Sequence, residues 1–108
     1  MKLQINAGDV DISDAIHAHI EKQVDNALRK FNGQVTRVEV HLRDHNGKHK
    51  HGADMECTME VRLAGHQPHA VHAEAEDLYD AISAAAHKLE RSTRRKLERH
   101  EAHQSKAG

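Results

Sequence analysis

Four stretches of the chain alternate apolar and polar residues, which is the pattern of strands with one buried and one solvated face. The first is short, with Leu3 and Ile5 between polar neighbours. The second places Val38, Val40 and Leu42 on one face. The other two carry their inward residues at the following positions: Met55, Cys57, Met59, Val61 and Leu63, then Val71, Ala73 and Ala75. These patterns predict a four-stranded sheet with one wet face.

Two other stretches have helical spacing. From Ser13, a favourable N-cap residue, the apolar positions recur every three or four residues as far as Phe31, and Asn32-Gly33 ends the pattern. Residues 77–100 predict one long helix without internal Gly or Pro, and its buried stripe holds Leu78, Ile82, Ala85, Ala86, Leu89 and Thr93.

The predicted order is strand, helix, three strands, helix. Each helix has one apolar stripe and the sheet one apolar face, so both helices are expected to cover the same sheet face. The fold class is therefore α+β, a two-layer β-α-β-β-β-α domain over residues 1–100. We expect residues 101–108 to form a disordered tail. A chain of 108 residues can bury one modest core, which agrees with a single domain.

Charge is unevenly distributed, although the formal net charge is only -1. Residues 88–108 contain seven Lys or Arg against three Glu, a local charge of +4, so the remainder carries -5. An anionic partner would be attracted to that end of the molecule. A solvated helix end remains the alternative interpretation of the same residues.

Helical geometry places most of these cations together. At about 100° per residue, Lys88, Arg91, Arg95 and Arg99 form a ridge beside the buried stripe of the last helix, with Arg94 nearby. The first helix adds Lys22 and Arg29 on its polar face, together with His19 and Lys30. Arginine binds phosphate oxygens through two hydrogen bonds, so an arginine-rich ridge suits a phosphate backbone. Phe31 and Tyr79 are the only aromatic residues, which favours backbone or shape recognition over base stacking.

Other function classes have weaker support. Histidines at positions 45, 49 and 51 and at positions 66, 69 and 72 suggest a metal hypothesis, but no spacing is diagnostic, and we expect no metal or other cofactor. Cys57 is expected to be a buried filler rather than a nucleophile, because it shares the inward face with two methionines. The acids Glu74, Glu76, Asp77 and Asp80 sit where a helix amino terminus prefers negative charge. No nucleophile motif or phosphate loop is present, so we expect no enzyme activity.

Two segments together resemble a known family. The stretch from Glu76 to Ile82, EDLYDAI, followed by KLER at residues 88–91 and then by Arg95, is similar to the second helix of the bacterial ribosome hibernation promoting factors. The amino-terminal residues that carry the likeness are Ile5, Val10, Ile12, Ser13, Ala15 and Ile16. The resemblance covers roughly residues 1 to 100. The family includes the ribosome-associated inhibitor and sigma-54 modulation proteins.

The resemblance implies a domain that binds the small ribosomal subunit in the decoding groove, where mRNA and tRNA otherwise sit, and inhibits translation reversibly. It implies a cytoplasmic protein of stationary phase and stress with no membrane association. The ribosomal-RNA contacts it implies are Lys88, Arg91, Arg94, Arg95 and Arg99, with Lys22 and Arg29.

The chain ends where short members end, which implies a protein that is monomeric in isolation and promotes ribosome pairing in the presence of a separate ribosome modulation factor. The histidine-rich loop 45–51 departs from the family, where lysines are expected, and leaves the role of the loop open. The alternatives are a protein-interaction module that modulates transcription and a His-rich metal-binding protein.

Overall fold

The elements follow the predicted order in a computed structural model that describes residues 1–45 and 54–107, with side chains as far as Arg99. The strands are β1 (Lys2–Asn6), β2 (Val35–Asp44), β3 (Met55–Leu63) and β4 (His69–Ala75). The helices are α1 (Asp14–Leu28), extended by a 3-10 turn at Arg29–Phe31, and α2 (Leu78–Ala107). Neither helix is long and apolar enough to cross a membrane within the described chain.

The sheet is mixed, with strand order β1-β2-β3-β4. β1 pairs parallel with β2, so α1 forms the crossover between two parallel neighbours. β2, β3 and β4 pair antiparallel in sequence order, which leaves β1 and β4 as the two edges. The parallel pairing and the edge position of β4 were not predicted, and both matter for the site.

Both helices cover the same face of the sheet, as predicted. The inward residues of β2 and β3 are fully or nearly fully buried, except the partly buried Met55 at the start of β3, and they share one core with the helix stripes. That core contains Ile16, Ile20 and Val24 of α1, Val38, Val40 and Leu42 of β2, Cys57, Met59, Val61 and Leu63 of β3, and Leu78, Ile82, Ala85, Ala86 and Leu89 of α2. Most polar residues of the strands lie on the opposite face of the sheet.

Local capping explains where the helices begin. The Ser13 hydroxyl accepts a hydrogen bond from the Ile16 backbone N–H at 3.1 Å, which confirms the predicted N-cap. The Asp77 carboxylate accepts one from the backbone N–H of Asp80 at 2.9 Å, so this acid caps α2. Gly65, with φ of 79°, makes the turn between β3 and β4, where a side chain would be strained.

The end of α2 differs from the prediction. The helix continues to Ala107, past the expected boundary at residue 100, so residues 101–107 have helical backbone where a disordered tail was expected to begin. Ala, Glu, Gln and Lys in this segment are good helix formers, and neither Gly nor Pro interrupts it before residue 108.

Candidate nucleic-acid interface

A shallow groove runs between α2 and β4, and we call it the β4 groove. Its first part is lined by Val71, Lys88, Arg91, Ser92 and Arg95. The second part shares Ser92 and Arg95 with the first and adds His69, Ala70, Lys96 and Arg99. Four of the seven predicted RNA-binding residues therefore lie along one continuous surface.

The register of α2 on the sheet produces this groove. Leu89 and Thr93 are fully buried against the sheet. The residues that follow each of them by two and three positions lie on the side of β4. Arg91, Arg95 and Arg99 are exposed and follow one another at intervals of four residues, about 6 Å along the helix axis. β4 is an edge strand, so the groove has no further strand on its outer side.

The two lysines of the groove bind backbone carbonyls of the β4 region. Lys88 Nζ donates to the carbonyl oxygen of His72 at 2.9 Å, and Lys96 Nζ donates to that of Gln67 at 2.5 Å. Each ammonium has further donors, so neither contact uses its whole hydrogen-bonding capacity. Both contacts tie the exposed edge to α2, which is one way in which a protein protects an edge strand from pairing with another chain.

The arginines of the groove have a different environment. Arg91, Arg95 and Arg99 have no carboxylate within ion-pair distance among the described side chains. Their guanidinium groups are exposed, and no carboxylate of the described part of the chain compensates their charges. The arrangement can therefore bind an extended row of anionic groups, such as backbone phosphates.

His69 also lines the groove, and the sequence interpretation had placed it only in a possible metal set. Its Nε2 lies 3.0 Å from the hydroxyl of Ser92 and 3.4 Å from that of Thr93. Burial lowers the pKa of His69 below its ordinary value, and the neighbouring charges of Lys96 and His66 lower it further. Its proximity to Lys96 is visible only in the fold, because the two residues lie on different elements, β4 and α2.

The remaining predicted cations lie elsewhere. Arg94 is on the side of α2 that faces the end of α1, where its guanidinium lies 2.6 Å from a carboxylate oxygen of Glu90 and 3.9 Å from one of Glu98. Arg29 of the 3-10 turn lies 2.9 Å from the Asp25 carboxylate. Lys22 is exposed on α1. These three residues are not part of the β4 groove.

His19 and Tyr79 form a contact between the two helices. Their rings pack edge to face with centroids 5.0 Å apart, and His19 Nε2 lies 3.0 Å from the hydroxyl of Ser83. Tyr79 is still 42% exposed. His19, which the sequence placed among the polar groups of α1, thus has a structural role in joining the helices.

The structure also locates the cysteine and the histidines that suggested other function classes. Cys57 is buried as predicted, and burial, with a smaller effect of Glu56, raises the pKa of its thiol to about 12. A thiol in that state is not a nucleophile at neutral pH. His69 and His72 lie on opposite faces of β4, so the proposed cluster around the β3–β4 turn does not converge. His49 and His51 lie outside the described residues.

Comparisons with known proteins identify a family and two solved structures of similar fold. A family model described as Sigma 54 modulation protein / S30EA ribosomal protein matches residues 3–101. The Protein Y N-terminal domain of Thermus thermophilus is 28% identical, with a TM-score of 0.71 over 88% of this chain and 98% of that one.

A ribosomal subunit interface protein from Coxiella burnetii has the same fold at 22% identity, with a TM-score of 0.71 over 94% of this chain and 99% of that one. No curated protein sequence matches the chain. The family model covers nearly all of the domain described above, and the chain belongs to the Sigma 54 modulation protein / S30EA ribosomal protein family.

Proposed function

We propose that this protein is a ribosome hibernation factor, which binds the small ribosomal subunit in the mRNA and tRNA decoding groove and reversibly inhibits translation. Membership of a ribosomal protein family supports association with the ribosome. The binding place and the inhibition are the further content of the proposal. They agree with the resemblance to hibernation promoting factors in the EDLYDAI and KLER segments.

The observation that carries the proposal is the row of cations in the β4 groove, whose arginines have no ion-pair partner among the side chains that the structure describes. Arg91, Arg95 and Arg99 face solvent on one side of α2, and Lys88 extends the row toward the start of the helix. Ribosomal RNA presents phosphates on a fixed scaffold, so a rigid helix can match several of them at once. The scarcity of aromatic residues agrees with recognition of backbone and shape.

Reversible inhibition follows from competition for one place. A domain in the decoding groove excludes message and tRNA as long as it is bound, and no covalent change is needed for its release. Contacts to phosphates displace counterions, so the affinity should fall steeply as salt rises. Binding and release can then respond to competing ligands without any change in the fold.

The test is cosedimentation of the purified protein with ribosomes, followed by competition with initiator tRNA and message. We expect the protein to pellet with the small subunit, to be released by the competitors, and to lose affinity steeply with salt. Lys88→Gln should weaken binding, whereas Lys2→Gln, the same change on the exposed start of β1, should not. Binding that ignores both competitors would contradict the decoding-groove assignment.

The proposal extends to ribosome pairing. We propose that the protein acts in the cytoplasm as a monomer and promotes pairing of ribosomes together with a separate ribosome modulation factor. Sucrose-gradient profiles with each protein alone and with both should show a paired-ribosome peak only when both are present. A peak with this protein alone would show that the second factor is unnecessary.

The family description also names modulation of sigma 54, and this is the alternative function. A module that recognises another protein through a packed interface would not need several phosphate contacts. Its binding would therefore respond weakly to salt and to loss of the β4-groove arginines. The same cosedimentation series separates the two functions.

A further inference from the structure

The face of the sheet that is opposite the helices contains a cluster of metal-ligand side chains. Glu56 of β3 and His72 and Glu74 of β4 each offer one ligand atom, and these atoms all lie within 4.8 Å of one another. Glu56 is half-buried, and the other two residues are exposed. None of them lines the β4 groove.

Strand register brings the three residues together. Glu56 and Glu74 are direct partners in the antiparallel pairing of β3 with β4. His72 precedes Glu74 by two positions, so it points to the same face and stands opposite Thr58. The arrangement is fixed by regular backbone on both strands rather than by a loop, which is how a precise coordination geometry is held.

Two carboxylates at directly opposed positions of a sheet repel one another. Some compensation comes from Arg43 of β2, which is the register partner of Glu56, and His45 Nε2, just after β2, lies 3.5 Å from a Glu56 carboxylate oxygen. A divalent cation held between the carboxylates would remove the repulsion directly. The imidazole of His72 then supplies a nitrogen ligand beside the two oxygens.

We propose that Glu56, His72 and Glu74 form a site for a divalent transition-metal ion of the zinc class. An imidazole nitrogen beside carboxylate oxygens is a mixed donor set that zinc and its transition-metal neighbours accept, whereas calcium and magnesium prefer oxygen ligands alone. The site lies on the polar face of the sheet, so it is separate from the β4 groove and from the proposed RNA binding.

The test uses the full chain without a histidine tag, freed of metal by a chelator and studied without ribosomes. Calorimetric titration with zinc should give one ion per chain, and cobalt should give a visible absorption spectrum of low-coordinate nitrogen and oxygen ligation. His72→Ala and Glu74→Gln should each weaken zinc binding by about tenfold or more, the size of loss typical at metal sites. Both residues are exposed, so the fold should persist and can be checked by thermal unfolding.

Two control variants distinguish this site from other histidine chemistry. His41 lies in the same cross-strand row as His72, two strands away on the same face, so His41→Ala should leave zinc binding unchanged. The double variant His49→Ala/His51→Ala removes histidines outside the described residues and should also bind as the parent does. Equal affinity in the parent and in His72→Ala, or loss of binding only in the double variant, would overturn the proposal. Several weak sites shared by every variant would overturn it as well.

Discussion

The two sides of α2 carry the same kind of residue in opposite electrostatic surroundings. On the side of α1, Arg94 is paired with Glu90 at 2.6 Å and approaches Glu98 at 3.9 Å. On the side of β4, Arg91 and Arg95 have no described carboxylate within ion-pair distance. Each of these arginines adds one positive charge to the formal net charge. The electrostatic field that a distant partner experiences from them differs, because only Arg94 has a carboxylate beside it among the described residues.

The difference shows what the local pairing does. An exposed ion pair contributes little to stability, with a typical value of about 0–1 kcal/mol, but it cancels most of the charge that a distant phosphate would experience. With no described carboxylate beside them, Arg91 and Arg95 keep their full charge at the cost of some repulsion along the helix. We therefore expect RNA binding to depend on the β4 groove and much less on the α1 side.

The largest expected effect comes from reversing two charges in the groove. The double variant Arg91→Glu/Arg95→Glu should lose ribosome binding by at least about a hundredfold, because charge-assisted hydrogen bonds contribute about 1.5–3 kcal/mol each. Cosedimentation at fixed salt measures the loss. Both side chains are exposed, so thermal unfolding should stay close to that of the parent.

Lys2→Glu, a charge reversal at the exposed edge of the sheet far from the groove, is the control for this experiment and should bind as the parent does. If the double variant still bound ribosomes and halted protein synthesis as well as the parent, the β4 groove would not be the interface.

Single neutral substitutions test the two sides of α2 separately. Arg91→Gln should weaken binding and reduce the slope of log affinity against log salt by about 0.7–1, the loss of one phosphate contact. Arg94→Gln makes the same chemical change on the same helix, but it should cost less because Glu90 already engages Arg94. Salt titrations of both variants supply the two slopes, and equal slopes would contradict the difference between the sides.

Removing the ion-pair partner of Arg94 tests the same difference in the opposite direction. Glu90→Gln removes the carboxylate 2.6 Å from Arg94 without changing the size of the side chain. The freed charge should tighten ribosome binding, but by less than about tenfold, because an exposed pair is worth up to about 1 kcal/mol. The gain should disappear in the double variant Glu90→Gln/Arg94→Gln. A gain that persisted there would have to come from something other than Arg94.

Much of the fold could be predicted because each element has its own periodicity. Val38, Val40 and Leu42 alternate with polar residues on β2, and the stripe from Leu78 to Thr93 has helical spacing. The parallel neighbour relation of β1 and β2 could not be predicted, because it depends on how α1 crosses over the sheet. The end of α2 was also missed, since helix-forming residues continue past the predicted boundary at residue 100.

The candidate site was only partly predictable for the same reason. Helical spacing alone put Lys88, Arg91, Arg95 and Arg99 on one ridge, and the structure places these four together. Lys96 and His69 join them only because β4 lies beside α2. The compensation of Arg94 and Arg29 could have been read from carboxylates four residues earlier, at Glu90 and Asp25.

The smallest expected effect is the contribution of His69 to the pH dependence of stability. Burial and the nearby charges of Lys96 and His66 lower the pKa of His69, so the unfolded chain binds a proton more readily than the folded protein. The free energy of unfolding should therefore fall as the pH drops below about 6.5, the ordinary value for histidine. His69→Gln should lose part of this dependence, whereas His87→Gln, on an exposed part of α2, should keep it. Denaturant unfolding from about pH 8 to about pH 5 measures the free energy of unfolding of both variants. Identical pH profiles for His69→Gln and the parent would contradict a lowered pKa of His69 in the folded protein.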